Sequence, residues 1–195
     1  MLVRDVMTVD PITVTPDVGV KTALRRLAHL GITSMPVVDE HHRLCGVVSE
    51  VDLIGWIVAA DPRAQARAIE MRPLTAPKTV EDVYTRSPIA ARPDQDVAAV
   101  VDVMGAKGFK SLPVVDDMQR LVGVVSRSDV VLALARDDTV IAEDIGRVFR
   151  DLGHDDWQVE VIDGVVEITG PDAVHHSLAL TIARTVPGVV GVRIP

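Results

Sequence analysis

The feature that most narrows what this chain can fold into is an internal repeat. Asp5-Val6-Met7-Thr8 returns as Asp82-Val83-Tyr84-Thr85, and Pro11-Ile12 returns as Pro88-Ile89. Ser34-Met35-Pro36-Val37-Val38-Asp39 returns as Ser111-Leu112-Pro113-Val114-Val115-Asp116, and Gly46-Val47-Val48-Ser49 as Gly123-Val124-Val125-Ser126. Every match falls at the same offset of 77 positions, with no insertion or deletion. Four matches in one register mark a duplicated unit, so any structure assigned to one half must serve the other.

Each repeat reads as strand, helix, strand, strand, helix. A short extended piece contains Pro11 or Pro88. An amphipathic helix is predicted near 18–30 and again near 95–107, with Val20, Leu24, Leu27 and Leu30 at helical spacing. Gly31 and Gly108 stand where a helix C-cap belongs. Val-rich strands follow near 35–39 and 44–49, then near 112–116 and 121–126. Their turns are polar: Glu40-His41-His42-Arg43 and Asp117-Met118-Gln119-Arg120. A second helix starts after Ser49 or Ser126. Between the repeats, residues 61–79 are rich in Ala, Arg and Pro and read as a short helix near 62–71 followed by an extended linker.

The tail from about residue 138 is different. Ile141, Ile145, Val148 and Leu152 mark a helix near 139–152. Two alternating runs, Gln158–Ile162 and Val165–Thr169, flank Asp163-Gly164, the strongest short-range hairpin signal. A helix near 172–185 is broken by Pro187-Gly188, and residues 189–194 make a last strand. The order is α-β-β-α-β. The chain is therefore expected to be α+β, with boundaries at 1–60, 61–79, 80–137 and 138–195.

Composition restricts function. Hydrophobic residues make up 48% but aromatic residues only 3%, so the cores must be built from Val, Ile, Leu and Ala. The formal net charge of −8 argues against nucleic-acid binding and against electrostatic docking on an anionic membrane. Residues 138–195 hold 10 acidic and 4 basic residues, so most of that charge is in the tail. Cys45 is a single cysteine: it excludes an intramolecular disulfide and reads as a small core residue. No apolar run approaches the ~20 residues of a membrane span, and the N-terminus lacks a leader pattern, so a cytoplasmic location is expected. His41-His42 and His175-His176 lack a third ligand in register and read as turn and surface residues. No nucleophile triad, P-loop or dinucleotide fingerprint is present, so no catalytic residue, metal or required cofactor is expected.

The informative motif is Gly46-Val47-Val48-Ser49-Glu50-Val51-Asp52, with its repeat Gly123-Val124-Val125-Ser126-Arg127-Ser128-Asp129. A strand ends in Ser, a helix begins, and an Asp lies three residues on. One reading is a capping box and nothing more, contributing about 1 kcal/mol. The other uses the same geometry for a ligand. A helix N-terminus suits a phosphate, and a carboxylate one turn in can accept both hydroxyls of a ribose. The two readings are compatible.

The repeated Asp-Val-Met-Thr…Pro-Ile, Ser-x-Pro-Val-Val-Asp and Gly-Val-Val-Ser-x-x-Asp patterns resemble paired cystathionine-β-synthase (CBS) domains over residues 1–137. The resemblance implies two repeats packed through their sheets into one module with two clefts. Adenosine nucleotides (AMP, ADP or ATP) are the expected ligands, and a homodimer of modules the expected assembly. It places ribose on Asp52 and Asp129 and phosphate near Ser49 and Ser126. The base is placed near Pro11, Ile12, Pro88 and Ile89, and near Ser34, Met35, Pro36, Ser111, Leu112 and Pro113. Ser128 supplies a second hydroxyl that Val51 does not, and Lys110 stands where family members face phosphates. The second repeat is therefore expected to be the stronger site, with Lys110 as part of it.

The tail, with Gly164-Val165-Val166-Glu167-Ile168-Thr169-Gly170 and Val186-Pro187-Gly188-Val189-Val190-Gly191-Val192, looks like a BON domain. Such domains are associated with phospholipid in envelope proteins, but the acidic tail favours a protein partner. The resulting expectation is a non-catalytic regulator that senses nucleotide and signals through its tail; the rival is a constitutive dimerisation scaffold with no ligand.

Overall fold

The computed structural model describes residues 1–57 and 76–195. The short helix expected near 62–71 and most of the predicted linker at 61–79 lie outside these residues. The first repeat carries β1 (Thr8–Val9), α1 (Val20–Leu30), β2 (Ser34–Val38), β3 (Leu44–Ser49) and α2 (Glu50–Ile57). The second carries β4 (Thr85–Arg86), α3 (Val97–Lys107), β5 (Ser111–Val115), β6 (Leu121–Ser126) and α4 (Arg127–Leu134). The order strand, helix, strand, strand, helix holds in both, in a mixed α+β fold.

The first strand of each repeat differs from expectation: it ends before the proline. Asp10 and Ser87 adopt positive φ angles of 49° and 52°, turning the chain out of the strand. Pro11 and Pro88, with no N–H to give a ladder, come after that turn.

By contact, the chain divides into two compact units. One is built from Val9–Ala91 and Lys110–Val124, the other from Met1–Thr8, Arg92–Phe109 and Val125–Pro195.

The first of these units holds the sheet β2-β3-β4. β2 and β3 are antiparallel, with Met35 opposite Val48 and Pro36 opposite Val47. Pro36 is tolerated because β2 is an edge strand. β4 comes from the second repeat yet pairs with β3 of the first, Gly46 opposite Arg86 and Val47 opposite Thr85. Gly46 makes this exchange possible. A Cβ there would lie 2.3 Å from the Thr85 carbonyl oxygen and 2.3 Å from Tyr84 Cδ2. On α1 the buried residues are Val20, Ala23 and Leu27. Leu30, expected on that face, is 49% exposed, because it sits in the last turn beside Gly31, whose left-handed φ of 64° ends the helix. Cys45 is half-buried against this core, and burial pushes its thiol pKa up.

Both repeat hairpins close through an aspartate. The Asp39 carboxylate accepts from the N–H groups of His41 and Arg43, at 2.9 and 2.8 Å. Asp116 does the same for Met118 and Arg120. These bonds hold both carboxyls below the usual range, the Arg43 and Arg120 N–H groups having the largest effect. His42 and Gln119 take the left-handed positions at φ 61°.

The tail, within the second unit, forms α5 (Asp138–Asp151), β7 (Gln158–Ile162), β8 (Val165–Thr169), α6 (His176–Thr185) and β9 (Gly191–Arg193). Asp163 and Gly164, with φ of 50° and 73°, make the two-residue turn, and the Asp138 carboxylate accepts from both of their N–H groups at 2.8 and 2.9 Å. β9 returns parallel to β8 after the α6 crossover. The buried face of α5 is Ile141, Ile145 and Phe149. Val148 and Leu152, expected there, are 36% and 54% exposed. Spacing of four selects 141, 145 and 149, so Phe149 takes the place assigned to Val148. α6 starts later than expected because the Asp172 carboxylate accepts from the N–H groups of Val174 and His175, holding a turn ahead of the helix.

The tail is joined to the end of α4. Arg136 donates to the Pro187 carbonyl at 3.0 Å and pairs with Asp144 on α5. Gly188, at φ 96°, packs so closely that a Cβ would meet Ile141 Cδ1 at 2.7 Å and the Ala133 carbonyl at 3.2 Å. Among the described residues, no helix is long and apolar enough to cross a membrane.

Candidate functional site

The two Ser-x-x-Asp motifs fold into the same local geometry. In the first, Asp52 Oδ2 accepts from the Ser49 N–H at 2.8 Å and from its hydroxyl at 2.6 Å. In the second, Asp129 Oδ2 accepts from the Ser126 N–H at 2.7 Å and from its hydroxyl at 2.6 Å. The Asp129 N–H points back to Ser126 Oγ at 3.2 Å, completing a capping box at the start of α4. The cap is therefore real, and it uses Oδ2. At Oδ1, Asp129 meets a long 3.4 Å contact from the Thr8 hydroxyl. Ser49, Asp52, Ser126 and Asp129 are all half-buried, and Ser128 is exposed. The motif thus presents a carboxylate fixed in direction by the backbone, with its outer edge at the surface.

The other expected residues divide into two groups. Met35, Pro36, Leu112 and Pro113 are buried, so the Met35 and Leu112 side chains belong to cores rather than to a surface. The Pro36 and Pro113 carbonyls accept from Val14 and Ala91 N–H at 3.1 and 2.8 Å. Pro11 and Pro88 are half-buried, while Ile12 and Ile89 are 48% and 44% exposed. The duplication thus leaves a large apolar side chain at the surface at the same position in both repeats. Ser34 and Ser111 meet hydroxyl to hydroxyl at 3.0 Å.

Lys110 is not where the sequence reading put it. Its Nζ lies 3.0 Å from Glu50 Oε1, at the start of α2 in the first repeat. The reason is the crossing at Ser34 and Ser111: the residue entering β5 is carried to the helix start of the opposite repeat. Glu50 N–H donates to the Thr33 carbonyl at 2.9 Å, fixing the same corner. In the second motif the position matching Glu50 is Arg127, which donates to the Met104 carbonyl at 2.9 Å. Neither Glu50 nor Arg127 was singled out from sequence; a sign reversal between matched positions was the available signal.

A family model for the CBS domain matches residues 3–59 and 80–136. The chain belongs to the CBS-domain family. The L-aspartate semialdehyde sulfurtransferase of Methanocaldococcus jannaschii is 31% identical over 129 residues, 66% of this chain but 22% of that enzyme, so this CBS chain spans about a fifth of that relative's length. Among solved structures, the CBS domain pair of protein MJ0100, in complex with 5′-methylthioadenosine and S-adenosyl-L-methionine, is 29% identical with a TM-score of 0.55, covering 68% of this chain and 94% of that one. CBSX2 in complex with AMP is 28% identical with a TM-score of 0.56, covering 68% and 94%. Both similarities cover about two thirds of this CBS chain.

The tail carries one cluster that the sequence did not reveal. The His154 ring stacks on Trp157 at 3.8 Å between centroids, and His175 meets His154 edge-on at 5.2 Å. His175 Nδ1 is 2.6 Å from Asp172, and His176 Nε2 is 3.2 Å from the Pro171 carbonyl. Among the described residues no group of three or more His, Cys, Asp or Glu is placed to hold a metal ion.

Proposed function

We propose that this chain is a non-catalytic regulatory protein that binds adenosine nucleotides at its two Ser-x-x-Asp motifs. The observation that carries this reading is the fixed carboxylate. In each motif the serine N–H and hydroxyl hold Oδ2. That orients Oδ1 to accept ribose hydroxyls, while the helix start faces phosphate. Similar CBS pairs crystallised with AMP and with 5′-methylthioadenosine and S-adenosyl-L-methionine support an adenosine ligand. AMP, ADP or ATP is the ligand class. No cofactor, metal or nucleic acid is part of this reading.

The domain limits proposed are 1–60, 61–79, 80–137 and 138–195, with the last as a BON domain that passes the signal to a protein partner in the cytoplasm. The α-β-β-α-β order of the tail supports that assignment.

The test is thermal shift with AMP, ADP, ATP, NAD and S-adenosylmethionine. A ligand at about 100 times its Kd adds ~2.7 kcal/mol of stability. Loss of that shift is expected in the double variant Asp52→Ala/Asp129→Ala, with a partial loss in each single variant; a flat response of the native chain to all five refutes the reading.

A second reading, a dimerisation scaffold, draws on exposed apolar residues. Val131, Leu132 and Leu134 on α4 are 62%, 70% and 49% exposed, and Val51 and Ile54 on α2 are 67% and 44% exposed. Surfaces of this kind mark interfaces. Sedimentation with and without nucleotide separates the two: a dimer that ignores every ligand favours the scaffold.

A further inference from the structure

We propose that Glu50 sets the charge of the ligand accepted at the first-repeat motif. It restricts that site to adenosine compounds with few or no phosphates, while Arg127 leaves the second motif open to polyphosphates. The inference rests on the nucleotide-binding reading above and assigns a different ligand class to each motif.

Glu50 is the first residue of α2, directly after Ser49, and Arg127 is the first residue of α4, directly after Ser126. The two occupy the same position of the duplicated motif with opposite charge. A phosphate seated at a helix start lies beside the side chain of this residue. At the first motif Lys110 already holds Glu50 at 3.0 Å, so the two charges of this pair offset each other. Lys110 and Glu50 are 63% and 43% exposed at their side chains. A pair this exposed is worth under about 1 kcal/mol, so a phosphate can compete for Lys110. Winning Lys110 still leaves the phosphate beside the Glu50 carboxylate, and each added phosphate charge increases that repulsion. At the second motif Arg127 bonds a neutral carbonyl, that of Met104, so its charge is not cancelled by this contact. Thr33, which aligns with Lys110, carries no charge. The stronger anion site is thus still the second one, but through Arg127 and not through Lys110.

The experiment is calorimetric titration of the full chain with ATP, AMP and 5′-methylthioadenosine, the last carrying no phosphate. In an Asp129→Ala background only the first motif is read. Adding Glu50→Gln there is expected to tighten ATP about tenfold, the effect of one unit charge at several ångströms in a surface dielectric. AMP tightens less, and 5′-methylthioadenosine stays within about twofold, since an uncharged group feels little of that field. In an Asp52→Ala background, Arg127→Gln is expected to weaken ATP by about the same factor. Equal changes for ATP and 5′-methylthioadenosine, or none for either, overturn the assignment. If a background variant fails to fold, the ATP to 5′-methylthioadenosine affinity ratio is read for Glu50→Gln in the otherwise native chain, with the same expectations. A native chain that binds none of the three removes the nucleotide-binding reading itself, a different result from binding that ignores Glu50.

Discussion

Gly46→Ala isolates the strand exchange in a single methyl group. Gly46 lies opposite Arg86 across the β3–β4 pairing, and the new Cβ would stand 2.3 Å from both the Thr85 carbonyl oxygen and Tyr84 Cδ2. Ordinary contacts begin near 3.4 Å, so about 1 Å must be found. The carbonyl is backbone and cannot rotate away, so β4 has to lift from β3. Overpacking of this kind costs about 1–3 kcal/mol, and each ladder bond weakened adds about 1 kcal/mol. A loss of about 2–4 kcal/mol follows, which for a chain of this size lowers Tm by roughly 5–15 °C. Urea unfolding followed by far-UV circular dichroism measures it. Gly105→Ala is the internal control: it lies inside α3, and a Cβ there meets nothing within 4 Å. That variant is expected to gain about 0.5–1 kcal/mol from helix propensity. Equal effects of the two substitutions, or a neutral Gly46→Ala, would refute the claim that close approach of β4 dictates glycine.

Three further outcomes are expected. Arg136 holds the Asp144 carboxyl below its usual range, chiefly through their hydrogen bond. The stability this brings is therefore fully present above the unfolded carboxylate value, near pH 4, and is lost as pH falls through the lowered native value. Arg136→Ala should lessen the acid sensitivity of the tail, read by Trp157 fluorescence between about pH 5 and pH 2; an unchanged profile sinks the pairing. Phe149→Ala removes a fully buried ring that meets Trp157 edge-on at 4.9 Å. It should cost about 3–5 kcal/mol and shift Trp157 emission to the red, while an unshifted spectrum would place Trp157 elsewhere. Gly164→Ala forces a Cβ to within 2.8 Å of the Gly188 carbonyl at a φ of 73°, and hydrogen exchange should show the β7–β8 turn opening.

The repeat, the helix and strand types and the capping boxes were all legible, because each follows from local pattern. Side chains at element ends were not. Leu30, Val148 and Leu152 fit a helical period, but whether an end residue is covered depends on what packs there. Phe149 was missed because the spacing of four from Ile145 competed with three. The partner of β4 was also hidden: a two-residue strand has no period, and only the bare Cα of Gly46 hinted that something lay close. Lys110 illustrates the same limit for the site. The family resemblance assigned it to the motif of its own repeat, whereas the crossing at Ser34 and Ser111 delivers it to the other. Pairing across a duplication cannot be read within either copy.

The exchange of β4 onto β3 has a consequence for ancestry. A chain with one repeat would leave the β3 edge beside Gly46 open and its own short N-terminal strand without that partner. Two such chains would complete each other, but only at concentrations that favour meeting. Fusing them places the second strand at a high effective concentration set by the connecting segment, so pairing no longer depends on how much protein is present. Once fused, the halves were free to diverge, and Glu50 facing Arg127 across the alignment is a difference that two identical chains could never have held.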